Sequence, residues 1–120
     1  WSDDHTYSGK AANMSLPLKL GGCLCETLPA GGGVQHGEVV MLIPDRVLRL
    51  NAPLGPLQDE GVSAALTFVL KARDGGDELT TTMNVGGVRP DLMKAAPAVD
   101  GVIGEGVARL KRYAETGAPK

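Results

Sequence analysis

The feature that most constrains this 120-residue chain is the order of its patterns: strand-like alternation up to about Val85, then one long amphipathic helix from about Pro97 to Glu115. A lone helix after a meander of strands has one apolar stripe to bury, and the sheet offers the surface that can bury it. The space between sheet and helix is then either a filled core or a pocket. That alternative governs what such a chain can do.

The strands are delimited by turn residues. Met14–Leu20 reads as a strand or extended segment ending at Gly21-Gly22, and Cys23–Leu28 with Val34–Ile43 reads as a hairpin around Pro29-Ala30-Gly31-Gly32-Gly33. Pro44-Asp45 marks the next turn, Val47–Asn51 alternates strictly, and Ala52–Glu60, with two prolines, is predicted to be loop. Val62–Arg73 and Leu79–Val85 form a second hairpin across Asp74-Gly75-Gly76-Asp77. Pro90 to Pro97 is read as loop with one helical turn. The last helix is expected to bury Val99, Val102, Ile103, Gly106, Leu110 and Tyr113 at 3–4 spacing. Gly101, Gly104 and Gly106 are poor helix formers. They mark either places where the helix lies close against the sheet or a frayed first turn. The fold class is α+β: about six antiparallel strands packed on one terminal helix, in a single domain over residues 1–120.

Composition narrows the partners. The net charge is −2 with both signs scattered, and the only basic group is Arg109, Lys111 and Arg112 late in the helix, where it complements the helix dipole. Nucleic acid is not an expected partner. No apolar run approaches the roughly 18 residues of a membrane span. Aromatics are scarce, Trp1, Tyr7, Phe68 and Tyr113 being all there are, so the interior is aliphatic. The chain begins at Trp1 in a loop-like stretch, which reads as the interior of a longer protein. Cys23 and Cys25 would sit roughly 6.5–7 Å apart on one side of a strand, at the edge of disulfide geometry, so reduced thiols are expected. They leave the compartment open, with the cytoplasm as default.

Several residues could carry chemistry. With the turn centred near Gly31, Glu26 falls opposite His36 and Leu24 opposite Glu38. Glu26 and His36 could form a carboxylate–imidazole pair, either an exposed cross-strand ion pair or a general acid/base. Catalysis requires both to face the interior, which this register disfavours. Cys23 and Cys25 lie on the opposite face, with Val39, Met41 and Ile43 as expected neighbours, as small core residues or pocket-lining thiols. Because His36 points away from them, no metal site is expected. Gly31-Gly32-Gly33 lacks the Lys and Ser/Thr of a phosphate loop, and Gly101-x-x-Gly104-x-Gly106 lies inside a helix, so no nucleotide cofactor is expected. Ser8 and Ser15 lack the context of a hydrolase nucleophile. Asp3-Asp4-His5 reads as solvated loop.

Four stretches carry a family resemblance. Trp1-Ser-Asp-Asp-His-Thr-Tyr-Ser-Gly9, Gly21-Gly-Cys-Leu-Cys-Glu-Thr-Leu-Pro-Ala-Gly-Gly-Gly-Val-Gln-His36, Gly55-Pro-Leu-Gln58 and Ala96-Pro-Ala-Val-Asp100 resemble the SRPBCC superfamily of START-like and birch-allergen-like helix-grip proteins. The branch it is most similar to holds the polyketide cyclase/dehydrase and heat-shock chaperone ATPase activator homologues. The resemblance implies a helix-grip fold whose cavity, under the terminal helix, takes a small hydrophobic or amphipathic ligand. In such a fold Val62, Leu66, Phe68, Met83, Val99, Ile103, Leu110 and Tyr113 line the cavity, with Trp1 and Tyr7 near the rim, and the hairpin reading adds Cys23, Cys25 and Met41 as candidate lining residues. It also implies a first strand and two short helices upstream of Trp1; without them the sheet has an open edge able to pair with a second copy. The alternatives are a cyclase or dehydratase-like enzyme using Glu26 and His36, and an interaction module of the chaperone-activator kind with a solid core.

Overall fold

The computed structural model describes residues 1–120. One antiparallel sheet runs in meander order: β1 Met14–Ser15, β2 Cys23–Thr27, β3 Gly33–Ile43, β4 Val47–Asn51, β5 Ser63–Arg73 and β6 Gly76–Gly86. β1 and β6 are its edges. The helix α1, Ala96–Thr116, closes the chain. The architecture is therefore α+β, an open six-stranded sheet with a C-terminal helix. No helix is long and apolar enough to cross a membrane.

Turn chemistry sets the lengths of the strands. Asp74 and Gly75 both adopt positive φ, 41° and 81°, the pattern of a two-residue hairpin turn that matches strand twist. Pairing therefore starts at Arg73↔Gly76, and β6 begins three residues before Leu79. The Met14–Leu20 stretch yields only Met14–Ser15 as strand, because Pro17 has no N–H for the ladder. The expected loop after Asn51 contains a 3-10 turn, Gly55–Glu60, with Pro56 at its start and Leu57 buried.

β3 carries two bulges that change which side chains face inward. Leu24 pairs with Gly37 and Cys25 with Gln35, so His36 is the extra residue; Val39 pairs with Leu50 and Met41 with Arg49, so Val40 is the second. Each bulge shifts the alternation by one residue. His36, Val39 and Leu42 consequently share the inner face with Leu24, Leu48, Leu50, Leu66 and Phe68. The expected set Val39, Met41 and Ile43 is split: Val39 is core, whereas Met41 and Ile43 are exposed. The expected register is corrected too, since Glu26 pairs with Val34 and Cys23 with Glu38. Gly37 is required beside the bulge, because a Cβ there would lie 2.6 Å from the Cβ of Ala52.

Cys23 and Cys25 form a disulfide, in place of the reduced thiols expected. β2 contracts to a Cα–Cα distance of 5.2 Å between them, within disulfide range, where its pairing with β3 shifts register.

α1 stands off the sheet. None of its residues is buried; Val99, Val102, Ile103 and Gly106 are half-buried, and Ile103 packs on the Val39–Leu50–Ala52–Leu66 core. Leu110 and Tyr113 are 47% and 57% exposed, contrary to expectation, and neither reaches the space under α1 that Val99 and Ile103 line. Gly106 is a close approach, but to Trp1: a Cβ there would lie 2.8 Å from the indole ring. Gly101 and Gly104 approach nothing within 4 Å. Alanine at 101 or 104 is therefore expected to raise stability by about 1 kcal/mol each through helix propensity alone, whereas Gly106→Ala is destabilising. Urea midpoints of the three variants check the ordering; equal effects at all three positions would contradict the packing of Trp1.

Candidate functional site

The gap between sheet and helix is a cavity of about 800 Å³. Its floor is Leu24, His36, Leu50, Leu66 and Phe68, side chains that the alternation of β2 to β5 and the His36 bulge place on one face. α1 supplies Ala98, Val99, Val102 and Ile103, the 3–4 stripe of its first turns. Leu54 to Leu57 close one end, and the segment from Trp1 to Leu16 supplies the third wall. Of 24 lining residues 17 are hydrophobic, which suits an apolar guest.

The N-terminal wall is clamped onto α1. Arg109 Nε donates to Trp1 O at 2.9 Å, Trp1 Nε1 donates to His5 O at 2.8 Å, and His5 Nε2 meets Glu105 Oε2 at 2.9 Å. The hydrogen bond from His5 holds the Glu105 carboxyl below its ordinary value. The acidic stretch is therefore only partly a solvated loop: Asp3 Oδ1 accepts from the Ala11 N–H at 2.7 Å, and His5 is half-buried.

Beneath Tyr7 lies the one buried ionisable pair. His36 Nε2 is 2.7 Å from Glu26 Oε2, and the two residues are 6% and 1% exposed. The reading as a surface ion pair is thus corrected. The bulge turns His36 onto the face that Glu26 already occupies, although the two are not directly paired. His36 lines the cavity and Glu26 sits behind it. Tyr7 stacks on the imidazole with ring centres 5.9 Å apart and planes at 23°. The Ser8 N–H donates to Glu26 Oε1 at 2.5 Å. Burial by itself pushes the Glu26 carboxyl up, but hydrogen bonding by Ser8, His36 and the Tyr7 backbone outweighs it and brings the group down to about 2. Glu26 is therefore an anion that can only accept, so Nε2 of His36 carries the proton of the shared bond.

A folded-state value near 2, against 4.5 ordinarily, means that Glu26 favours the folded chain above about pH 4.5 and that this contribution disappears as pH falls toward 2. Stability is expected to drop by an amount on the order of 2 kcal/mol over that window, and Glu26→Gln is expected to flatten it. Urea unfolding at about pH 6 and about pH 3 measures both; equal pH dependence in the variant would show that other groups dominate.

Of the residues expected to line a cavity, Leu66, Phe68, Val99 and Ile103 do so. Met83 packs against the core without reaching the cavity. Cys23 and Cys25 lie on the outer face, Met41 is exposed there, and Leu110 and Tyr113 lie beyond the cavity on α1. Trp1 and Tyr7 both line it. Leu24, Leu50 and Leu57 also line the cavity; the strict alternation of Val47–Asn51, which puts Leu48 and Leu50 on one side of the strand, is the sequence signal for one of them. No family model, curated protein or solved structure matches the chain.

Proposed function

We propose that this chain binds a small hydrophobic or amphipathic molecule in the cavity between its sheet and α1. The observation that supports this reading is the cavity itself: about 800 Å³, walled mostly by aliphatic and aromatic side chains, within the size range of small-molecule sites. The resemblance to helix-grip proteins points the same way by analogy of fold, which by itself does not carry function. Titration with an environment-sensitive apolar dye, followed by displacement with fatty acids and fused-ring compounds, tests it. Saturable binding at one site per chain is the expected result. A dye signal that never saturates would overturn the reading.

A second reading is enzymatic, and one observation favours it: a carboxylate–imidazole pair at the wall of an apolar cavity is the arrangement of a general base held by an anion. In that reading His36 exchanges a proton with the substrate and Glu26 orients and stabilises the ring, as in a cyclase or dehydratase-like reaction. Turnover of a β-hydroxy carbonyl compound that disappears in His36→Gln would support it.

A further inference from the structure

The geometry points to a more specific guest: we infer that the cavity selects an apolar molecule bearing one hydroxyl, which hydrogen-bonds to Nδ1 of His36. This inference rests on the ligand-binding reading above.

His36 has two ring nitrogens, and the protein uses one. Nε2 donates to the Glu26 carboxylate. Nδ1 has no hydrogen-bond partner in the protein, and it is not among the sealed, unpartnered polar atoms, of which Thr81 Oγ1 is the only one. Nδ1 therefore keeps accessible surface on a side chain that lines the cavity, which puts it within reach of a guest. In the neutral ring the proton on Nε2 leaves Nδ1 a bare lone pair, an acceptor awaiting a donor. The ring cannot turn to hide it, because Glu26 fixes one edge and Tyr7 covers a face.

The surroundings set the rest of the guest. Beside His36 the floor is Leu24, Leu50 and Leu66, which offer no polar partner. Asp4, His5, Thr6, Tyr7 and Ser15, the other polar side chains at the cavity apart from Trp1, whose Nε1–H is already given to His5 O, are half-buried or exposed and lie along the N-terminal wall. His36 is the one buried polar group the cavity presents. A guest that buries its body on the leucines and leaves Nδ1 unmatched forfeits that nitrogen's contact with water; a guest with a hydroxyl at that point restores the bond. A site built around one buried hydrogen-bonding group discriminates strongly against the analogue that lacks the complementary group.

The test compares 2-naphthol with 2-methoxynaphthalene, two probes of similar shape that differ in the donor. The intact protein is expected to bind the naphthol about tenfold more tightly, and His36→Phe is expected to bring the ratio to about one. Because the variant leaves Glu26 without its partner, a second readout uses the unmodified protein. In ¹⁵N-labelled protein the free chain should show the tautomer protonated at Nε2, and adding the naphthol, but not the ether, should shift the Nδ1 resonance. Equal affinity for the two probes, an Nδ1 resonance that ignores the naphthol, or a preference that survives in folded His36→Phe would overturn the inference while leaving the cavity a binding site. Failure of both probes to bind, together with the dye, would overturn the ligand-binding reading as well.

Discussion

His36→Leu is expected to lower the free energy of unfolding by about 3 kcal/mol, a large fraction of what holds a domain of this size together. The cost comes from what stays behind. Glu26 is 1% exposed and its carboxyl lies near 2, so at neutral pH the variant must bury an anion that has lost its imidazole partner. Glu26→Leu alone removes the charge and leaves a histidine able to remain neutral, but it orphans the Ser8 N–H, so it is expected to cost about 1–2 kcal/mol. The double variant, Glu26→Leu with His36→Leu, is expected to lie close to Glu26→Leu rather than at the sum of the two losses, because two leucines can pack where the buried hydrogen-bonded pair stood. Urea midpoints of the four proteins close the cycle. Should His36→Leu shift the midpoint no more than an ordinary surface substitution, the pair would not be the buried hub described above.

How far the sequence discloses this arrangement depends on which signals are local. The meander, the β5–β6 turn and the helix are local: Asp74-Gly75 can adopt two successive positive φ angles, and the Val99–Ile103 stripe has only one face to offer. So Leu66, Phe68, Val99 and Ile103 could be assigned to the interior from periodicity alone. The two bulges of β3 are not local. Val39-Val40-Met41-Leu42-Ile43 is an unbroken apolar run, and nothing in it shows where the alternation slips. The slip is decided by the partners: Ala52 crowds Gly37 and the β4 ladder resumes at Met41. That is why Glu26 and His36 can be singled out as a pair from the sequence, while strict alternation puts them in a register that disfavours the interior. The helix glycines show the same limit. Gly101 and Gly104 look identical to Gly106 as residues, and only the position of Trp1 separates a close approach from open space. The long reach of the 3–4 stripe to Leu110 and Tyr113 likewise does not disclose that these two side chains stay exposed.

Val99→Trp is expected to abolish most ligand binding without destabilising the fold. Val99 is half-buried on α1 and lines the cavity, and tryptophan and valine have similar helix propensity, so the change is mainly one of volume. If the space under α1 is empty in the unliganded protein, the indole enters it, gains apolar contact and leaves the unfolding free energy unchanged or slightly higher. Its additional atoms, about seven, then occupy room for a similar number of ligand atoms; at about 0.3 kcal/mol each, affinity falls roughly thirtyfold. A filled core predicts the opposite. There the extra volume has nowhere to go, and overpacking costs about 1–3 kcal/mol as side chains and helix are forced apart. A thermal or urea unfolding curve for this one variant therefore separates a ligand-binding shell from a solid interaction module before any ligand is known. Dye binding to the same sample then ties the loss of affinity to the cavity, because a variant that keeps its stability cannot owe the loss to unfolding.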